Sequence, residues 1–196
     1  KIGFEFEGKN TFQDSSLSGI SVSGIFGDLD LSKVNSDYLN DQRDSGPKTH
    51  GDFNKVVLDF YHIHKFTDKI NFKYYGSLQH ASKNLDSSEK FSLGGVSGIR
   101  AYPSGEASGD EGHKLSFEVQ YDLSKPDMDF DLIGTLFYDY GRIRQYKDSS
   151  NITLTTPNEY SLSGWGVSFD LIASERVKLN LGWAQAIGDN DGKSSS

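Results

Sequence analysis

Leu115, Phe117, Val119 and Tyr121 alternate with Lys114, Ser116, Glu118 and Gln120, and this two-residue period restricts the fold more than any other feature. Successive side chains of an extended strand point to opposite sides, so apolar residues at every second position build one apolar face. The period recurs along the chain. Ile2, Phe4 and Phe6 alternate with Gly3, Glu5 and Glu7, and Ile20, Val22 and Phe26 oppose Ser21 and Ser23. Val56, Leu58 and Phe60 mark a third strand ending near His64, and Ile70, Phe72, Tyr74 and Leu78 share a face of a fourth that runs to Ala81. Beyond the strand at His113 to Asp122, Phe130, Leu132, Leu136 and Tyr138 oppose Asp131, Thr135, Phe137 and Asp139. Trp165, Val167, Phe169 and Leu171 oppose Gly164, Gly166, Ser168 and Asp170, and Val177, Leu179, Leu181 and Trp183 oppose Lys178, Asn180 and Gly182. No segment holds a 3.6-residue period over the length of a helix. The expectation is an all-β chain of about eight antiparallel strands.

The connections carry a second signal. A polar turn is expected around Gly8 to Ser16. From the second strand onward, long and short connections alternate: Lys33 to Gly51 with Pro47, Lys65 to Lys69, Phe91 to Gly112, Ser124 to Asp127 with Pro126, Arg142 to Asn158, then a turn at Ser174 and Glu175. Up-and-down outer-membrane barrels have short periplasmic turns and long extracellular loops, so the long connections are placed outside. Only 35% of residues are hydrophobic and no run approaches the ~20 apolar residues of a spanning helix. Barrel strands, polar on one face, keep mean hydropathy low in any case. Thirteen Phe, ten Tyr and 21 Gly favour β structure with tight turns. A net charge of −8 without a basic run argues against nucleic acid. The absence of cysteine fits a bacterial envelope protein. No signal peptide opens the chain. Lys1-Ile2-Gly3-Phe4 already alternates, as though a strand were entered partway through a longer protein. Tyr74, Tyr138, Tyr140, Trp165 and Trp183 suit interfacial girdles. They would equally fill a soluble β-sandwich, which has the same period, and loop-length alternation favours the membrane.

The stretch from Phe91 to Gly112, FSLGGVSGIRAYPSGEASGDEG, has no alternation of its own. Connections of this length inside a compact domain are usually functional or disordered, and its glycines favour an ordered loop. The run LGGVSGIRAYPSGEASGDEG resembles the signature loop of the two-partner-secretion outer-membrane transporters, the ShlB/FhaC/HecB hemolysin-activator family. That loop reads LGG, then V-R-G-Y, then a GE..GD.G tail. Here Gly94 and Gly95 supply the first element, and Gly98, Ile99, Arg100, Ala101 and Tyr102 the second. Gly105, Glu106, Gly109, Asp110 and Gly112 supply the third. Ala101 replaces the usual glycine. NLDSSEKF upstream and FYDYG downstream extend the likeness over most of the chain.

The resemblance implies a fold: an antiparallel up-and-down transmembrane β-barrel of 16 strands. Residues 1–196 would then be the C-terminal half of that barrel, strands eight to fifteen, with residues 91–112 as the sixth outer loop folding inward. The final strand, the N-terminal barrel strands and the periplasmic POTRA domains would lie elsewhere. It also implies that the loop arginine, Arg100, pairs with the aspartate of an F-x-D-x-G motif, here Phe137, Asp139 and Gly141. An arbitrary loop arginine is solvated. Reach permits the pair, since nine steps from Phe91 to Arg100 span up to ~30 Å against a ~25 Å apolar band. A guanidinium binds a carboxylate bidentately, giving orientation as well as energy.

Other chemistry is thin. Glu106, Asp110 and Glu111 lack calcium-loop spacing, and His62 with His64 lacks a third ligand for zinc. The loop glycines precede no helix that could offer its N-terminus to phosphate. Asp28 with Asp30 suggests a carboxylate pair, but 28 acidic residues produce such pairs by chance. No nucleophile–base constellation is present. No enzyme activity, metal or cofactor is expected.

The function implied by the resemblance is secretion of one large β-rich exoprotein (a hemolysin, adhesin or contact-dependent toxin) across a Gram-negative outer membrane, without ATP. Lys73, Gln79, Lys114, Glu118, Gln120 and Asp170 would line the path, and the protein would act as a monomer among outer-membrane lipid and lipopolysaccharide. The alternatives are a barrel-assembly factor of the same superfamily and a soluble β-sandwich binding domain.

Overall fold

The structure, a computed structural model, describes residues 2–12, 15–174 and 177–192. Eight long strands form one sheet: β1 (Ile2–Phe12), β2 (Ser16–Leu29), β3 (Gly51–Lys65) and β4 (Ile70–Ala81) in its first half. Two short strands, β5 (Phe91–Ser92) and β6 (Ser108–Gly109), pair only with each other. The sheet continues with β7 (Glu111–Asp122), β8 (Asp131–Arg144), β9 (Glu159–Ser174) and β10 (Val177–Ile187). Each long strand pairs antiparallel with its sequence neighbours, in the order β1-β2-β3-β4-β7-β8-β9-β10. This is an up-and-down meander, the transmembrane barrel architecture as a fragment: β1 and β10 are its two edges. Its strands have 11 to 16 residues, and ~9–11 cross a bilayer, so the longer ones project beyond it.

Register converts the sequence period into two unlike faces. Across the outer face His62, Tyr74, Phe117, Tyr138 and Trp165 form one row. Phe72, Val119, Leu136 and Val167 form the next, and Trp183 opposes Val167 on β10. Many outward side chains stay substantially exposed, including Phe117, Leu136, Trp183 and, further along β9, Phe169. Trp165 and Trp183 meet edge to face at 5.4 Å. Exposed aromatic and aliphatic rows with no second sheet over them suit lipid and contradict a β-sandwich core. The inner face carries Lys73, Glu118, Phe137 and Gly166 in one row, then Tyr75, Ser116, Asp139 and Gly164, then Ser77, Lys114, Gly141 and Leu162.

Several expected boundaries shift. The first hairpin is tighter than a turn at Gly8 to Ser16, because β1 runs to Phe12 and β2 starts at Ser16. Eleven consecutive pairings along β2 override the turn propensity of Gly8 and Asn10. The loop after β2 contains a helix, α1 (Asn35–Gln42). It bears no apolar stripe and is tied in place by Asp41, which accepts hydrogen bonds from Thr49 N, Thr49 Oγ1 and His50 N. The sixth strand starts at Asp131 rather than Phe130, and β7 takes in Glu111 and Gly112, two residues assigned to the signature loop. The turn residue Glu175 lies outside the described residues, as do residues 193–196.

Candidate functional site

The inner face of β7, β8 and β9 receives the Phe91–Gly112 stretch, so the connection folds onto the polar face of the sheet. Its base is a two-residue ladder between β5 and β6, with Leu93 N bonded to Ala107 O. Above the ladder the chain coils tightly: Ile99 N reaches Leu93 O, Gly95 N reaches Tyr102 O, and Tyr102 N reaches Ile99 O. Gly95 sits at φ +97° and Gly105 at φ +81°, where a side chain would be strained. At Gly94 and Gly98 the constraint is space: an added Cβ would lie 2.0 Å from Pro103 O or 1.9 Å from Leu93 O.

The coiled loop docks through apolar contacts that run against the polar character of the inner face. Phe91, Leu93, Ile99, Tyr102 and Ala107 form a buried cluster with Ile143 of β8 and Tyr160 and Leu162 of β9. Ile99 and Leu93 are fully buried. The signal for this seat was in the sequence: Ile143, Tyr160 and Leu162 are apolar residues in phase with Asp139 and Gly164, on the side that polar residues should hold.

At the tip, the backbone turn delivers Arg100 to Asp139. Arg100 Nε donates to Asp139 Oδ2 at 2.9 Å and Nη2 to Oδ1 at 2.8 Å, a bidentate pair, while Arg100 N adds a third bond at 3.0 Å. Asp139 is fully buried. The guanidinium carbon lies over the Phe137 ring, 3.5 Å from its centroid, a cation–π contact that strengthens with desolvation. Its remaining arm, Nη1, donates to Glu118 Oε1 at 2.8 Å. Glu118, expected only to line a path, is therefore a second carboxylate partner, supported by Tyr75 Oη at 3.1 Å and Gln120 Nε2 at 3.2 Å. Burial opposes the arginine's charge, but the bonds and charge of Asp139 outweigh it and hold the group protonated.

The F-x-D-x-G motif is spaced so that all three residues face the loop: Phe137 lies beneath the guanidinium, Asp139 bonds, and Gly141 leaves room. A Cβ at Gly141 would lie 2.6 Å from Leu93 Cδ2. Gly164, on the neighbouring strand, leaves room for Ala101, whose Cβ would come within 2.5 Å of a Cβ there. Ala101 has no left-handed backbone angle, so glycine is not required at that position. Gly164→Ala should displace the tip at about 1–3 kcal/mol, as overpacking does. Ala101→Gly in the same background should relieve most of that cost. Trypsin cleavage at Arg100 in folded protein reads the displacement, and equal cleavage in both variants would separate the two positions.

The acidic tail organises the loop's root. Asp110, fully buried, accepts from Leu85 N and Lys147 N and pairs with Lys90 Nζ at 2.9 Å. Glu111 pairs with Lys147 and Arg144 on the outer side. Glu106 meets Asn190 Nδ2. Gly109 and Gly112 pass close to the carbonyls of Arg144 and Arg142. Asn84, from the NLDSSEKF run, bridges to Pro47 O and to both N and O of Asp148, tying three outer loops together. His62 bonds Ser18 and stacks on Tyr74.

Residues 24–171 match the profile of the family described as haemolysin secretion/activation protein ShlB/FhaC/HecB. Over 170 residues the chain is 31% identical to the heme/hemopexin transporter protein HuxB of Haemophilus influenzae (strain 86-028NP), covering 87% of this chain and 29% of that protein. The HuxB of strain ATCC 51907 is 30% identical over the same length. CdiB from Escherichia coli shares the fold, with a TM-score of 0.72 at 17% identity over 93% of this chain and 32% of that one. The chain thus spans about a third of the length of these relatives.

Proposed function

We propose, because this chain belongs to the haemolysin secretion/activation family ShlB/FhaC/HecB, that it is part of the barrel of a protein that exports one exoprotein by two-partner secretion. Membership and the lipid-suited outer face place the chain in the outer membrane of a Gram-negative bacterium. The cargo is a large β-rich exoprotein of the hemolysin, adhesin or contact-dependent toxin type. Because the relatives are named as heme/hemopexin transporters, a cargo engaged with heme–hemopexin belongs on the same list.

The observation that carries this reading is the occupied inner face. A loop with its own buried cluster, held by one bidentate arginine and two carboxylates, stands where a translocating chain must pass. In this reading the loop gates the lumen and the Arg100–Asp139 contact sets its resting position, with Phe137 and Glu118 as supports. Passage requires the loop to shift while Asp110 and Asn84 hold its root. The family relatives named are transporters, which also favours secretion over barrel assembly.

Deleting the gene should leave the cognate exoprotein in the periplasm, and a plasmid copy should return it to the medium. Immunoblots of the two fractions decide the matter. Unchanged export in the deletion strain would remove the reading.

A further inference from the structure

Above the apolar rows of the outer face, on the long-loop side, the lipid-facing surface changes character. From Leu132 to Tyr140 on β8 the outward residues cover about 27 Å along the strand, or about 20 Å along the membrane normal at barrel tilt. Arg142 and Arg144 follow on the same face, opposite His113 and Glu111 of β7. Lys147 and His80 both reach Glu111, at 2.6 Å and 2.5 Å. Arg142 and Arg144 both reach Glu159 at 2.7 Å. The opposite rim of this face instead carries Phe66, Ile70, Tyr121 and Leu132. Three permanent cations and two histidines thus surround two carboxylates, a local positive excess on a chain of net charge −8.

We propose that this rim is a binding site for the phosphorylated headgroup of an outer-leaflet glycolipid of the lipid A type. Its height is that of the headgroups, directly above the acyl-chain band. Guanidinium forks match phosphate oxygens bidentately. The arginine side chains remain accessible, at 51% for Arg142 and 39% for Arg144, so the pairs with Glu159 can be shared with a phosphate. Leu78, Leu115 and Tyr138 continue the surface downward for acyl chains. The inference rests on the outer-membrane placement and not on secretion, and its assay reads lipid rather than export.

The test uses the complete barrel protein purified in detergent, with folding verified by heat-modifiable gel mobility. Native mass spectrometry counts bound bisphosphorylated lipid A, dephosphorylated lipid A, or either in the presence of inorganic phosphate. The double variant Arg142→Gln/Arg144→Gln should weaken the bisphosphorylated lipid about 30-fold, given the usual contribution of each basic residue at a membrane surface. Lys65→Gln, on the short-turn side, should leave binding unchanged. Glu159→Gln should strengthen binding, whereas a purely structural ion-pair role predicts no gain. The proposal is overturned by equal binding of dephosphorylated lipid, by an unaffected double variant, or by weaker binding in Glu159→Gln. Full displacement by millimolar inorganic phosphate would reassign the rim as a free-phosphate site and overturn the lipid.

Discussion

Arg100→Ala should lower export by more than tenfold while leaving the barrel inserted, and Asp139→Ala should do nearly the same. Either change breaks a buried pair, which typically costs about 3–5 kcal/mol and shifts a two-state loop on the order of a hundred- to several thousandfold. The two variants differ in what remains. Arg100→Ala strips Asp139 of both guanidinium bonds and of its counter-charge, leaving only the bond from the backbone N–H of residue 100. Asp139→Ala leaves the guanidinium with Glu118 and the Phe137 ring, so its effect should be the smaller. The double variant should lose far less than the sum, because both changes act on one contact. Arg100→Lys should restore little. An ammonium is a point donor that cannot serve both oxygens of Asp139, one of Glu118 and an aromatic face together. Secreted exoprotein in the medium and trypsin sensitivity of the loop are the readouts. Additive losses, or full export by the lysine variant, would dissolve the lock.

Val119→Arg should reduce the folded, membrane-inserted fraction strongly, while Gln120→Arg should not. Val119 faces outward on β7 between Phe72 and Leu136. An arginine on the lipid face near the midplane costs about 2–4 kcal/mol. Gln120, one residue on, faces inward, and its amide already bonds Glu118 Oε2 at 3.2 Å. A longer cation there gains a carboxylate neighbour and water. The fraction showing heat-modifiable mobility in outer-membrane extracts measures the difference. Similar losses in both would reverse the assignment of faces.

What could be read from the sequence follows from where the physics is local. Alternation at Leu115 to Tyr121 needs no tertiary information, because the pleat itself sorts the side chains. The family resemblance named Asp139 through its F-x-D-x-G motif, and the reach from Phe91 to Arg100 permitted the pair. Alternation puts Glu118 on the polar face but does not pair it with Arg100, since that contact depends on register: Glu118 opposes Phe137, one row from Asp139. The α1 helix was illegible for a different reason. NSDYLNDQ is polar on most sides, so nothing in it repeats at 3.6 residues. It is held instead by Asp41 reaching eight and nine residues ahead, and by Lys48 Nζ reaching back to the carbonyls of Gln42 and Arg43. Such a helix is specified by contacts at its C-terminal end and not by a stripe.

The meander also dictates when the loop can come to rest. Every long strand pairs only with its sequence neighbours, so the sheet can grow one hairpin at a time at low contact order. Arg100, however, waits for partners that follow it: Glu118 lies 18 residues downstream and Asp139 lies 39 downstream. Closing the longer span costs only about 0.7 kcal/mol more than the shorter, so Glu118 holds no lasting advantage from arriving first. A chain halted after β7 would keep Arg100 on Glu118 alone, without Phe137 beneath it and without the Ile143 and Leu162 seat. Docking of the loop is therefore a late step of folding, and it reports that β8 and β9 have joined the wall.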